Sequence, residues 1–165
     1  MSRDPSSNDL RVPVVTLPVE IRYTEGRAIA GRIFVPATAL RHQGPMRADE
    51  WVNETDRFFP FLPNDSRQSV LVNKAAVLAI IVPAGATGAT EPDSSEVVPV
   101  PERVISIECG GATFQGVITL DMPAHHSRVL DYLNLPTGFL PLRVGDRHHL
   151  INKRHITRVI EVRED

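Results

Sequence analysis

The chain has 165 residues, of which 42% are hydrophobic and 23% are charged, and its formal net charge is −2. Such a composition is typical of one globular domain or two very small ones, and it argues against a disordered or fibrous chain. The near-neutral charge gives no reason to expect strong nonspecific attraction to nucleic acid or to anionic lipid.

Three further features bound the class of protein. The longest apolar run, residues 75–82, is far shorter than the ~20 residues of a membrane-spanning helix. Residues 1–5 are polar and contain no apolar stretch of the secretory type. Cys109 is the single cysteine, so no intrachain disulfide or zinc ribbon can form. We expect a cytoplasmic protein with no membrane partner.

An internal repeat organises the sequence. Residues 14–83 and 103–162 match each other in order and spacing. The matching segments are 26–31 with 111–116, 47–53 with 128–134, 58–61 with 139–142, and 70–74 with 149–153. Eight identities in the same order indicate a duplicated unit.

Each repeat is predicted to begin with two strands joined by a turn. Apolar residues alternate with polar ones before a glycine, Gly26 in the first repeat, and a second strand follows. The predicted strands cover 19–23 and 28–35 in the first repeat, and 104–107 and 113–120 in the second. Gly31 and Gly116 lie inside the returning strands, where a glycine favours a sharp bend.

A short helix is predicted next in each repeat, at 46–53 and 128–134, followed by three short strands. These strands are centred on Phe59, Leu71 and Ile80, and on Leu140, Leu150 and Val159. Five short, bent strands in about 60 residues are typical of an SH3-like or Sm-like barrel. We therefore predict a mainly β fold of two tandem small barrels, each with one short helix between its second and third strands.

Composition divides the chain in the same way. Residues 1–13 are predicted to be a disordered tail, 14–83 the first barrel and 103–165 the second. Between them, 84–102 is rich in Pro, Gly, Ser and acids, and its four acids without a base predict an acidic linker.

The motifs resemble those of the Sm/Hfq superfamily of small barrels. The segment 150–156, Leu-Ile-Asn-Lys-Arg-His-Ile, looks like that family's second motif, and 72–77 looks like a second copy of it. The resemblance implies ring assembly and binding of single-stranded RNA near these turns. It places Asn73-Lys74 and Asn152-Lys153 in the turns. Asn53 and Asn134 resemble the first motif's asparagine.

The repeats also depart from the Sm pattern. The interval from the second glycine to the asparagine is 22 residues in the first repeat and 18 in the second, whereas Sm proteins are much shorter there and lack a helix. The sequence Arg-x-x-Asp/Glu-aromatic-x-Asn…Phe-x-Pro, which occurs in both repeats, looks more like that of bacterial domains of unknown function that share this barrel topology.

The duplicated Asn-Lys pair is the most specific local signal. The chain has sixteen arginines but only two lysines, Lys74 and Lys153, and these occupy equivalent positions. One interpretation is a binding rim in which Asn73, Lys74, Asn152 and Lys153 recognise a phosphate, a carboxylate or an RNA base. The other is structural: asparagine fixes a tight turn by adopting a left-handed conformation, and lysine is the solvated residue next to it.

Other candidates carry the same two interpretations. Asn53 and Asn134 end the short helices, where asparagine is a common cap. Trp51 and Tyr132 are either stacking platforms for bases or contacts within the core and between the barrels. His155 is a secondary candidate for the binding site. Five of the six histidines lie in the second repeat.

Catalysis and metal binding have little support in the sequence. It contains no nucleophile elbow, phosphate-binding loop, dinucleotide fingerprint or His-Glu-x-x-His motif. A site joining His149 and His155 across the final hairpin has no matching acid or cysteine. We therefore predict neither an enzyme nor a cofactor.

Three functions remain as hypotheses. The first is a binding or assembly module that uses barrel edges to hold a protein partner or copies of itself. The alternatives are an Sm-like protein that binds single-stranded RNA, and a ligand or metal sensor that depends on histidine.

Overall fold

The computed structural model describes residues 12–54, 56–83, 99–123, 125 and 128–163. Its elements are β1 Val14–Tyr23, β2 Ala28–Pro36, α1 Ala48–Val52, β3 Phe58–Pro63, β4 Val70–Asn73, β5 Val77–Val82, β6 Glu102–Cys109, β7 Ala112–Thr119, α2 Val129–Leu133, β8 Phe139–Val144, β9 Arg147–Asn152 and β10 Ile156–Glu161. One-turn 3-10 helices, Lys74–Ala76 and Lys153–His155, precede β5 and β10.

Alternating apolar and polar residues favour the strands, and β1 is an example. Leu17, Val19 and Ile21 are buried, whereas the residues between them are exposed or partly exposed. Gly26 (φ 93°) permits the turn into β2, and Gly111 (φ 80°) does the same between β6 and β7.

The ten strands form one antiparallel sheet, in the order β10-β6-β7-β8-β9-β5-β1-β2-β3-β4. Within each repeat the fifth strand lies beside the first, and the first four follow in sequence order. The repeats join where β5, the last strand of the first, pairs with β9, the fourth strand of the second. This leaves β10 and β4 as the two edges of the sheet.

The prediction of a mainly β protein is confirmed. The two separate small barrels are not confirmed, because the ten strands form a single sheet that is not closed. The physical reason is the β5–β9 pairing, which merges the two repeats. The short helices lie between the second and third strands of each repeat.

Two predicted segments fall largely outside the described residues: 1–11 of the tail and 84–98 of the linker. The end of the predicted linker is corrected by the structure, since Glu102 belongs to β6 and pairs with Thr119 of β7.

The core continues across the junction of the repeats. All six residues of β5 are buried; Val77, Ile80 and Val82 pack in the core cluster of the first repeat, and Leu78 and Ala79 pack in that of the second. Phe139 and Leu150 of the second repeat also pack in the first cluster. Burying a side chain of this size contributes roughly 1.5–3 kcal/mol, so the junction is a substantial part of the fold.

Candidate functional site

The Asn-Lys pairs begin the two 3-10 turns. The side chain of Asn73 accepts a hydrogen bond from the N–H of Ala75 at 3.0 Å, and that of Asn152 accepts one from Arg154 at 3.1 Å. Both asparagines are extended, with φ of −78° and −70°. The predicted left-handed conformation is therefore wrong, because asparagine here fixes the turn by capping it.

Both lysines hold equivalent main-chain carbonyl groups. The Nζ atom of Lys74 donates to the carbonyl of Glu54 at 2.9 Å, and Nζ of Lys153 donates to that of Leu135 at 2.9 Å. Partial burial lowers the pKa of both ammonium groups, although nearby carboxylates oppose the shift at Lys74. Each lysine thus holds its turn against the segment after the short helix, so the prediction of a merely solvated neighbour is wrong.

Asn152 also bridges the two repeats. It is 5% exposed, and its Nδ2 atom donates to the carbonyls of Lys74 and Val77 at 3.1 and 2.9 Å. Beside it, Nε2 of His155 lies 2.7 Å from the carbonyl oxygen of Ala75. Polar contacts therefore fix the second turn against the first.

Asn53 makes a second bridge, which sequence analysis did not foresee. It is the C-cap of α1, as predicted. In addition, its Oδ1 accepts from the N–H of Phe139 at 2.8 Å, and its Nδ2 donates to the carbonyl of Phe139 at 3.3 Å. Asn134 is the C-cap of α2, but its exposed side chain makes no hydrogen bond with any described residue.

A cleft of about 680 Å³ opens between the repeats at this junction. Its lining includes Asn53, both Asn-Lys pairs, the cations Arg57 and Arg154, and the carboxylates Glu54 and Asp56. Four cations against two carboxylates give the lining a net charge of +2. The structure thus brings four predicted rim residues and Asn53 together, whereas Asn134, Trp51, Tyr132 and His155 are not part of the lining.

Trp51 and Tyr132 occupy equivalent, partly buried positions. Trp51 packs on the first core cluster and contacts Phe59 edge to face, with ring centroids 5.0 Å apart. Tyr132 packs on the second cluster, where burial raises the pKa of its hydroxyl. This placement matches the core interpretation of both aromatic residues.

Among the described residues, the histidines and the cysteine do not form one site. His149 is buried edge-on against Phe114, whereas His155 faces the carbonyl of Ala75. In the described part of the chain, no three His, Cys, Asp or Glu side chains are placed to hold a metal ion. Burial raises the pKa of the Cys109 thiol to about 11, which makes it a poor nucleophile at neutral pH.

The sheet edges carry apolar residues that sequence analysis missed. On the β3–β4 edge, Phe58 is 55% exposed and Leu71 is 75% exposed, and on β10 Ile160 is 47% exposed. Sequence comparison could not have singled them out, because their equivalents Phe139, Leu150 and Ile81 are residues of the same type, and only the structure shows which are covered. Isolated exposed apolar residues need no explanation, whereas several together on one edge are a feature of interaction surfaces.

No protein-family description, curated protein or solved structure gives a significant match to this chain. Neither α-helix in the described residues exceeds five residues, and no helix there is long and apolar enough to cross a membrane.

Proposed function

We propose that the protein is a non-enzymatic assembly module whose copies associate head to tail, with the β4 edge of one copy pairing with the β10 edge of the next. One observation carries the proposal. The β5–β9 junction inside the chain joins a fifth strand to a fourth strand, and the chain's two free edges are the remaining fifth and fourth strands.

Equivalence between the repeats defines the register of the proposed contact. Inside the chain, Ala79 pairs with Ile151, Ile80 with Leu150, and Ile81 with His149. The equivalent pairs between copies are Arg158 with Val72, Val159 with Leu71, and Ile160 with Val70. An antiparallel ladder in this register would extend the sheet without a change of fold.

Burial at the internal junction supports this pairing. Leu150 is fully buried, whereas its equivalent Leu71 is 75% exposed. Ile81 is 3% exposed against 47% for its equivalent Ile160. Apolar residues at positions that the internal junction covers favour a second copy as the partner, because that copy presents the matching strand.

The charges of β10 do not oppose the contact. Arg158 and Glu161 pair with Glu108 and Arg103 on the neighbouring strand β6. Their charges are thus balanced within the copy. Because β10 is more polar than β5, we expect the contact between copies to be weaker than the internal junction.

A head-to-tail contact uses two different surfaces, so it produces a ring if the rotation closes and a filament if it does not. The resemblance to the Sm/Hfq superfamily favours a ring. Any closed assembly of this chain would contain an even number of repeats, two from each copy.

Light scattering after size-exclusion chromatography tests the proposal. We expect a discrete oligomer for the wild type and a monomer for Leu71→Arg. Leu40→Arg is the matched control, since Leu40 is 98% exposed and lies on neither edge. A monomeric wild type at tens of micromolar would refute the proposal, as would a Leu71→Arg oligomer of unchanged mass and affinity.

Binding of single-stranded RNA in the cleft is a second candidate. The observation in its favour is that both Asn-Lys pairs line one cleft whose charge is +2. Because both lysines hold main-chain carbonyls, the exposed Arg57 and Arg154 are better test positions. We expect Arg57→Ala with Arg154→Ala to weaken RNA binding and to reduce its salt dependence, whereas Arg32→Ala on β2 should not. Absence of salt-sensitive RNA binding by the wild type would exclude this function.

A further inference from the structure

We propose that Asn134 is a specificity determinant of the contact between copies: its side-chain amide would bond both main-chain groups of Phe58 in the copy whose β4 edge meets its own β10 edge. This inference rests on the proposed self-association. It assigns Asn134 the role that Asn53 has inside the chain.

The internal example shows what such an amide contributes. The side chain of Asn53 bonds the N–H and the carbonyl of Phe139, at 2.8 and 3.3 Å. An amide that accepts from the N–H and donates to the carbonyl of one residue imitates a strand partner. It holds α1 of one repeat against β8 of the other, at a single position along that strand.

Asn134 of the second repeat is placed to make the same kind of contact. Asn53 and Asn134 both follow their five-residue helices as C-caps, with φ, ψ of −87°, 1° and −86°, 1°. Their backbones therefore place the two Cβ atoms in the same way relative to their helices, although only Asn53 also donates to its own helix, at the carbonyl of Asp49 (2.8 Å). Asn53 has its partner within the chain, whereas the side chain of Asn134 makes no hydrogen bond with a described residue.

Phe58, the equivalent of Phe139, has the matching main-chain groups available. The N–H of Lys74 donates to the carbonyl of Arg57, so the antiparallel alternation directs the N–H and carbonyl of Phe58 away from β4. On that other side, β2 pairs with β3 only at Ile33–Phe61 and beyond, which leaves Phe58 without a strand partner. Its side chain is 55% exposed, against 4% for Phe139.

Asn73 would supply the reciprocal polar contact. At the internal junction, Nδ2 of Asn152 donates to the carbonyls of Lys74 and Val77. The equivalent contact would run from Asn73 to the carbonyls of Lys153 and Ile156 in the next copy. Each junction would then use one asparagine after a helix and one before a 3-10 turn, which accounts for all four repeated asparagines.

Sedimentation velocity on the full chain, over a range of protein concentrations, tests Asn134. We expect Asn134→Ala to raise the dissociation constant of the oligomer about tenfold to a hundredfold, the effect of losing two hydrogen bonds. Unfolding of the monomer in denaturant should not change, since Asn134 has no side-chain partner within the described chain. Gln115→Ala, an exposed polar position on β7, is the control.

Asn73→Asp provides an independent variant. It keeps the oxygen that caps the turn but loses the amide donor, so it should weaken the oligomer while leaving the monomer folded.

The outcomes separate the two proposals. If the wild type is an oligomer and Asn134→Ala associates as tightly as Gln115→Ala, the role of Asn134 is refuted and self-association stands. If the wild type does not associate at all, the proposed function fails, and the role of Asn134 fails with it.

Discussion

Lys74 and Lys153, the two lysines of the chain, hold equivalent carbonyl oxygens at the same distance of 2.9 Å, those of Glu54 and Leu135. The repetition of this contact explains why lysine rather than arginine occurs twice. A compact ammonium on a flexible stem can reach a single carbonyl, whereas a planar guanidinium has a fixed fork of donors. The structural interpretation of the Asn-Lys pair thus has a specific basis.

Replacing either lysine should lower stability. We expect Lys74→Ala and Lys153→Ala each to reduce the free energy of unfolding by about 1 kcal/mol, which is less than a buried charged hydrogen bond contributes, because both side chains are partly exposed. Urea denaturation measures the effect. Arg154→Ala, which removes an exposed cation from the same turn, is the control. Lysine variants as stable as the wild type would contradict this structural role.

Two cysteines placed in opposite edge strands should trap the contact between copies. We expect Leu71→Cys to form a disulfide with Val159→Cys when the two single variants are mixed under mild oxidation. Directly opposed residues of an antiparallel pair have Cα atoms about 4.5–5.5 Å apart, within the range of a disulfide. A non-reducing gel would show the product.

The cross-linking experiment has an internal control for register. Pairing Val159→Cys with Ser69→Cys, which lies two residues before Leu71 and just outside β4, should give much less product. Equal yields from both pairs would argue for random collision rather than the proposed register. The native Cys109 should not interfere, because it is buried and its thiol pKa is raised to about 11.

His149 should make the fold sensitive to acid. Burial, together with Arg22 and Arg147, lowers the pKa of its imidazole to about 4, despite the opposing effect of Glu20. Its Nδ1 atom has no hydrogen-bond partner among the described residues. Below pH 6.5 the unfolded state binds a proton at His149 that the folded state excludes until about pH 4. The free energy of unfolding therefore decreases as the pH is lowered through this window. The whole loss is about 3 kcal/mol.

Urea denaturation at several pH values between 7 and 4 measures this dependence. His149→Val, which introduces the residue found at the equivalent position 70, should flatten the profile. His42→Gln should leave the loss in place or enlarge it, because the hydrogen bond with Glu50 raises the pKa of His42, so that its protonation in acid favours the folded state. An unchanged slope in His149→Val would show that other groups cause the acid sensitivity.

The repeat made much of the fold predictable from sequence. Alternation in β1, the turns at Gly26 and Gly111, and the order of five strands per repeat follow from local pattern and from duplication. Pairing between β5 and β9 could not be predicted, because periodicity shows that a strand is buried without identifying its neighbour. All six residues of β5 are buried, whereas none of β10 is. This difference between equivalent strands is the feature that reflects the junction.

The residues of the candidate site could be predicted from the sequence, but the hydrogen bonds between the two repeats could not. Both Asn-Lys pairs stand out because they are duplicated, and they do line one cleft. The bond from Asn53 to Phe139 spans 86 residues, and no local pattern encodes it. Comparing equivalent residues once the structure is known distinguishes positions that are used within the chain, such as Asn53, from their unused equivalents, such as Asn134.

Even the smallest substitution, to alanine, should destabilise the protein at Gly31 and at Gly116. Neither has a positive φ, so the reason differs from that of a turn glycine. A Cβ atom on Gly31 would collide with the carbonyl oxygen of Leu62, and one on Gly116 with that of Arg143. These carbonyls belong to β3 and β8, the strands that pair with β2 and β7, and a main chain cannot move aside as a side-chain tip can.

We therefore expect Gly31→Ala and Gly116→Ala each to cost about 2–3 kcal/mol, toward the upper end for overpacking. Thermal and urea unfolding measure the loss. Gly138→Ala is the control, because a Cβ there would meet only the side-chain oxygen of Asn53, at 4.0 Å. If Gly31→Ala and Gly116→Ala are as stable as Gly138→Ala, the close approach of the neighbouring carbonyl is not what requires glycine. Equal losses at Gly31 and Gly116 would show that both repeats depend on the same close approach between paired strands.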